Sequence, residues 1–161
     1  MSLSGMSFPE IVRKYQQPLY WYIRKTVLVH EDSEDILQET FIKAYRHLWK
    51  LRSRDSLKPW LYRIATNEMN RYFSRHRESV PIDKLRIEEC VEGDAVSPEK
   101  AAKLVSAAIL QMTPLQRQVF CLKYYDEMDY DEISSITGSS KNSLMVSYHE
   151  ARKKIEKEIN K

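Results

Sequence analysis

Glycine is scarce in this chain, with three in 161 residues. An all-β fold needs turn residues every few positions, so the scarcity disfavours one. Cysteine is scarcer still: Cys90 and Cys121 stand alone, with no CxxC and no Cys/His spacing suited to zinc. This fits a reducing compartment, with Cys121, inside an apolar helical stretch, as ordinary core. No apolar run reaches the ~18 residues of a transmembrane helix, and no signal peptide is visible. Catalytic signatures are missing too. There is no Gly-rich phosphate loop, no GxSxG and no HExxH; His149-Glu150 lacks the second histidine. No catalytic residue, cofactor, metal or small-molecule substrate is therefore expected. Asp126, Glu127, Asp129, Asp131 and Glu132 superficially suggest calcium, but they lack the glycine and terminal glutamate of an EF-hand and read as a solvated turn and helix start. A strong charge of one sign is also lacking, since the net charge is only +3. Its distribution says more: about +5 over residues 6–78, about −3 over 79–98 and about +1 beyond, and local fields rather than the total steer a polyanion.

What is present is helical periodicity. With 42% hydrophobic and 30% charged residues the chain is globular. Phe8, Ile11, Val12, Tyr15, Leu19, Tyr22, Ile23 and Val27 recur at helical spacing, with a bend expected at Pro18. Asp32 or Ser33 is expected to cap a second helix, whose Ile36, Leu37, Phe41, Ala44 and Leu48 face inward. The stretch "WKLRSRDSLK", Trp49 to Lys58, is polar and reads as a loop. A third helix begins near Ser56, with Pro59 in its first turn. Residues 79–97 turn acidic and aperiodic around Pro81 and Gly93 and read as a flexible linker. Helices are then predicted over 98–111, 114–126, 129–137 and 141–159, punctuated by Thr113-Pro114 and Gly138. The expectation is an all-α fold of two small helical domains, 6–78 and 98–161, joined by the linker. The leading "MSLSG" reads as a cloning remnant before a natural start at Met6.

Two stretches carry recognition chemistry. In "PWLYRIATNEMNRYFSRHR", Leu61, Ile64, Ala65, Met69 and Tyr72 share one helical face and read as core. Trp60, Arg63, Asn67, Arg71 and Arg75 share another. Arginine forks hold phosphates, tryptophan stacks an unpaired base for ~1–3 kcal/mol, and asparagine both donates to and accepts from a base edge. This stripe suits an opened nucleic-acid strand; a partly buried Trp60 among merely solubilising arginines is the plainer alternative. In "MDYDEISSITGSSKNSLMVSYHEARKKI" a short helix, a turn at Gly138 and a longer amphipathic helix have helix-turn-helix spacing. An ordinary helical hairpin has it too.

Taken together these stretches resemble a bacterial RNA polymerase sigma factor, sigma-70 family, of the extracytoplasmic-function group. "DSEDILQETFIKAYRHLWKLRSRDSLKPWLYRIATNEMNRYFSRHR" is similar to that family's second conserved region, and "LQMTPLQRQVFCLKYYDEMDYDEISSITGSS" to its fourth. The resemblance implies that Asp35, Gln38 and Glu39 lie on the helix that docks on the clamp helices of core RNA polymerase, whose flap is a further contact. It implies that the loop Trp49 to Lys58, with Arg52 and Arg54, receives a flipped base of the −10 element. Trp60 and Asn67 would flank that base, while Arg63, Arg71 and Arg75 hold the strand. Extrusion costs a few kcal/mol, which those contacts must offset. The second domain would read the −35 duplex, with Ser140, Lys141, Asn142, Ser143 and Arg152 as candidates. There the chain departs from the family's rough pattern G-T-V-K-S-R-L-x-R-A-R: Met145, Ser147 and Glu150 stand where cations are usual. Fewer cations mean a smaller salt slope, so an unusual or weaker −35 preference is expected. Promoter DNA, a membrane-associated anti-sigma factor and a cytoplasmic bacterial setting are further implications of the resemblance. Two rivals remain: a stand-alone helix-turn-helix regulator, and a sigma mimic that sequesters an anti-sigma factor.

Overall fold

The computed structural model describes residues 2–3, 5–76 and 98–161, so the segment read as a linker and Cys90 lie outside the described residues. Seven α-helices make up almost all of what is described. They are α1 (Phe8–Val27), α2 (His30–His47), α3 (Leu57–Arg75), α4 (Pro98–Gln111), α5 (Pro114–Phe120), α6 (Tyr130–Thr137) and α7 (Lys141–Ile159). Two strands of two residues each, β1 (Ser2–Leu3) and β2 (Met6–Ser7), form a small antiparallel ladder ahead of α1. Leu3 and Met6 are buried against the first lobe's core.

The first lobe is α1, α2 and α3. A capping box starts α1: the Ser7 N–H donates to Glu10 Oε2 at 3.2 Å and the Glu10 N–H to Ser7 Oγ at 3.4 Å. Its end is unusual. Leu28 adopts a left-handed conformation (φ 73°) although it is not glycine, and its N–H closes the helix on the Arg24 carbonyl. The chain then re-enters a helix at once. This corrects the expected cap at Asp32 or Ser33: α2 starts at His30, Val29 is its N-cap without a side-chain bond, and the Ser33 hydroxyl donates to Val29 O instead. The stretch read as a loop contains two short 3₁₀ turns, Leu48–Lys50 and Arg54–Ser56, anchored by buried Leu48 and Leu57. On α3 the expected inner residues Leu61, Ala65, Met69 and Tyr72 are buried, and Ile64 is half-buried against the same core. A second strip of α3, Tyr62 and Thr66, is buried as well. Thr66 Oγ1 donates to Tyr62 O and so is left to accept from the Tyr22 hydroxyl at 2.7 Å.

The second lobe packs α4, α5 and α6 around α7. Thr113 and Gln116 form a capping box for α5, which continues as one π-helical turn, Cys121–Tyr125. Gly138 (φ 77°) ends α6 and Ser140 caps α7, where its Oγ accepts from the Ser143 N–H at 3.2 Å. Cys121 is core. The acidic cluster is used structurally: Asp129 caps α6, and Asp126 accepts from the Tyr62 hydroxyl at 3.2 Å.

That last bond joins the two lobes, which pack on one another through α3 against α6 and α1 against α5. Arg117 donates to Thr26 O at 3.1 Å, and Gln118 Nε2 to Asn70 Oδ1 at 3.1 Å. Lys25, almost fully buried, lies 3.5 Å from the centre of the Tyr125 ring. Leu28 goes furthest. It is 3% exposed and belongs to a buried apolar cluster whose other members, Ala108, Ile109, Met112, Phe120 and Ala151, are all of the second lobe. The left-handed corner of the first lobe thus ends inside the core of the second.

Candidate nucleic-acid interface

The outward stripe on α3 is present, but its members differ. Arg63, Asn67, Arg71 and Arg75 are exposed, as are Arg52, between the two preceding turns, and Arg54, in the second of them. Trp60 is half-buried against the first lobe's core, so it presents part of its ring rather than all of it. Arg63 is occupied: its Nε donates to Ser135 O at 3.0 Å and its NH2 to Ser135 Oγ at 2.8 Å, both on α6. Arg71 NH1 stands 3.6 Å from Glu68, which also pairs with Lys43. At about 100° per residue the second lobe covers the flank of α3 holding Tyr62, Thr66 and Asn70, leaving the edge with Trp60, Asn67 and Arg71 open. Among the described residues the most exposed large hydrophobic is Trp49, at the start of the stretch expected to be a loop: it is 69% exposed, its indole N–H donating to Arg46 O.

Asp35 and Gln38 line an open cleft of α1 and α2 with Phe8, Leu37, Phe41 and Tyr45. Glu39 faces a different, polar groove, with Lys43, Glu68, Arg71 and Arg75. The cleft's apolar content was missed. Ile42 and Tyr45 are exposed, and with Gln38 and Trp49 they follow one helical line. The signal was there to read, because those residues recur at i, i+4, i+7 and i+11 beyond the core stripe.

On α7, Leu144, Ser147 and Ala151 are buried and define the inner face. Ser147 therefore packs inward, and only Met145 and Glu150 of the three atypical positions face out. Glu150 accepts from Gln116 Nε2 at 2.7 Å. Lys141 pairs with Asp131 at 2.6 Å, a bond that raises the lysine's pKa. Ser140, Asn142, Ser143 and Arg152 are exposed. The face opposite the core consists of Asn142, Met145, Val146, His149 and Lys153, a set that only partly overlaps the sequence expectation.

Between the lobes, burial holds the Asp126 carboxyl above its ordinary value, while Tyr62, Lys58 and Lys25 pull it down. Burial likewise pushes the Tyr22 and Tyr62 hydroxyls far up, so both remain neutral donors. No group of three or more His, Cys, Asp or Glu among the described residues is placed to share a metal ion. No helix among them is long and apolar enough to cross a membrane.

Family models match both lobes: Sigma-70 region 2 over residues 11–79 and Sigma-70, region 4 over residues 102–155. The chain is 27% identical to the ECF RNA polymerase sigma factor SigM of Bacillus subtilis, covering 93% of each. It is 28% identical to the RNA polymerase sigma-H factor of Pseudomonas aeruginosa, covering 95% of this chain and 86% of that one. Among solved structures, the sigma factor RpoE from Bartonella quintana, in complex with the anti-sigma factor NepR, has a similar fold. Its TM-score is 0.71 at 19% identity, covering 95% of this chain and 96% of that one. CnrH in complex with the cytosolic domain of CnrY gives 0.66 at 20% identity, covering 95% and 87%.

Proposed function

The chain is a sigma factor of the sigma-70 family, in its extracytoplasmic-function group, and from that premise we propose that it binds core RNA polymerase, reads −10 and −35 promoter elements and opens the DNA between strands. It carries no reaction itself; the polymerase does the chemistry. Core polymerase docks on the α1–α2 cleft lined by Asp35 and Gln38, where exposed Ile42 and Tyr45 add apolar area. The helix-turn-helix of α6 and α7 docks on duplex. The turns before α3 and the edge carrying Trp60, Asn67, Arg71 and Arg75 trap an extruded base and hold its strand. The observation that carries this reading is that one chain presents both an amide-and-arginine helix edge and a capped helix-turn-helix, on opposite lobes.

The docked arrangement has a consequence for this role. The two elements are roughly 25 base pairs apart by their names, or about 85 Å along B-form DNA. A compact body of this length has a radius of gyration of only about 15 Å. Both elements cannot be touched at once until the lobes part, and residues 79–97 can span at most about 65 Å. Parting also frees Arg63 from Ser135. An anti-sigma factor is the natural partner of the docked form, by analogy with the RpoE relative found with NepR.

Promoter-dependent run-off transcription with core polymerase tests the proposal. A stand-alone regulator or a mimic yields no such product. Trp60→Ala is expected to abolish open-complex formation while core binding persists; if opening survives, the base-trapping part is wrong.

A further inference from the structure

We propose, resting on that reading, that α7 reads its duplex chiefly through the C5-methyl groups of thymine, with Met145 and Val146 as the methyl-reading pair and Asn142 as the adenine-reading amide beside them. The preferred element is accordingly rich in A·T pairs.

The argument starts from exposure. Met145 and Val146 are 46% and 57% exposed, side by side in the first two turns of α7. Those turns are the part of such a helix that enters a major groove. Leu144, Ser147 and Ala151 on the opposite side seat the helix on its lobe. The groove-facing stripe then reads Asn142, Met145, Val146, His149 and Lys153. Each base pair shows a distinct pattern there, and guanine is best read by an arginine or lysine fork on O6 and N7. The first two turns offer a single cation, Lys141 at the very start of the helix, and no arginine. Lys141 is paired with Asp131, and position 147, where the family pattern has arginine, is an inward serine. Arg152 stands a further turn on. What remains on the face is an amide, which pairs with adenine N6 and N7, and apolar carbon, which contacts the thymine methyl. Arg152 and Lys153 supply phosphate contacts without sequence preference. A protein partner fits less well. Two apolar residues among Asn142, His149 and Lys153 fall far short of the ~800 Å² per partner of a stable protein interface.

The test uses the full chain in holoenzyme with core polymerase, on a promoter selected from a random library. Each thymine of the −35 element is replaced in turn by uracil, which removes one methyl and leaves every hydrogen bond intact. At one or two positions binding is expected to weaken about fourfold per methyl. Met145→Ala and Val146→Ala should each abolish the uracil sensitivity at one position. Selective binding that is indifferent to uracil throughout, or a G·C-rich selected element, overturns this inference and leaves the sigma-factor reading standing. Unchanged promoter binding by both alanine variants also overturns it, in favour of a protein partner. Absence of any promoter-selective binding overturns both.

Discussion

Replacing Leu28 by alanine should release the two lobes from each other without unfolding either. Leu28 sits at the α1–α2 corner of the first lobe, yet the other members of its buried apolar cluster, Ala108, Ile109, Met112, Phe120 and Ala151, all belong to the second. Its left-handed backbone costs about 1–2 kcal/mol, but alanine keeps that conformation, so the strain cancels. Truncation removes contacts that exist only while the lobes are docked. For a 3% exposed leucine the loss is about 2–3 kcal/mol, at the lower part of the range for such changes, because the corner can relax. The docking constant should fall about 30- to 150-fold. Energy transfer between dyes on Lys14→Cys and Lys157→Cys, in a Cys90→Ser, Cys121→Ser background, reads this directly; the second serine is needed because Cys121 is buried in a cluster with first-lobe residues and parting would expose it. Unchanged transfer refutes the reasoning. So does changed transfer with loss of amide protection across α1–α3, since Leu28 would then be a folding residue of its own lobe.

Tyr62→Phe should weaken the same docking by about 1 kcal/mol, since it strands the Asp126 carboxylate across the interface while keeping the ring packed on Tyr22; the same dye pair measures it. Because burial holds the Asp126 carboxyl high, docking favours its protonated form. Docking should therefore weaken as pH rises through the raised value and strengthen as pH falls through it toward the ordinary carboxylate range, and Asp126→Asn should flatten that profile. Arg71→Ala and Arg75→Ala, both exposed, should each lower the salt slope for single-stranded −10 DNA by about 0.7, with unaltered slopes excluding a phosphate contact. Met69→Ala, in the sealed core of the first lobe, should cost about 2–5 kcal/mol in chemical denaturation; a smaller loss would mean the site collapses around the gap.

Much of this was legible from sequence, and the failures share a cause. Thr113-Pro114, Gly138 and Ser140 announce helix ends through local chemistry, and the helices run as those residues dictate. The α1–α2 corner could not be read that way, because a leucine stands where glycine is the usual left-handed residue. Its side chain is buried by the second lobe, far along the chain. The docking itself was invisible for a similar reason. Tyr62, Val119 and Leu122 read as core under any periodicity argument, and nothing local says whose core. On α7 the substitutions at Met145 and Ser147 were plain in the sequence, but only the helix orientation separates a side chain aimed outward from one aimed inward.

On the proposed reading Arg63 has one guanidinium and two claimants, Ser135, which it bonds in the docked form, and the DNA strand. If the strand needs the Nε and NH2 edge that Ser135 takes, lobe docking and strand capture form a reciprocal pair: each weakens the other by the same factor. A ligand that merely bridges the docked lobes would therefore lower affinity for opened DNA without touching the strand site. A short oligonucleotide carrying the −10 sequence would, by the same factor, loosen the grip of that ligand.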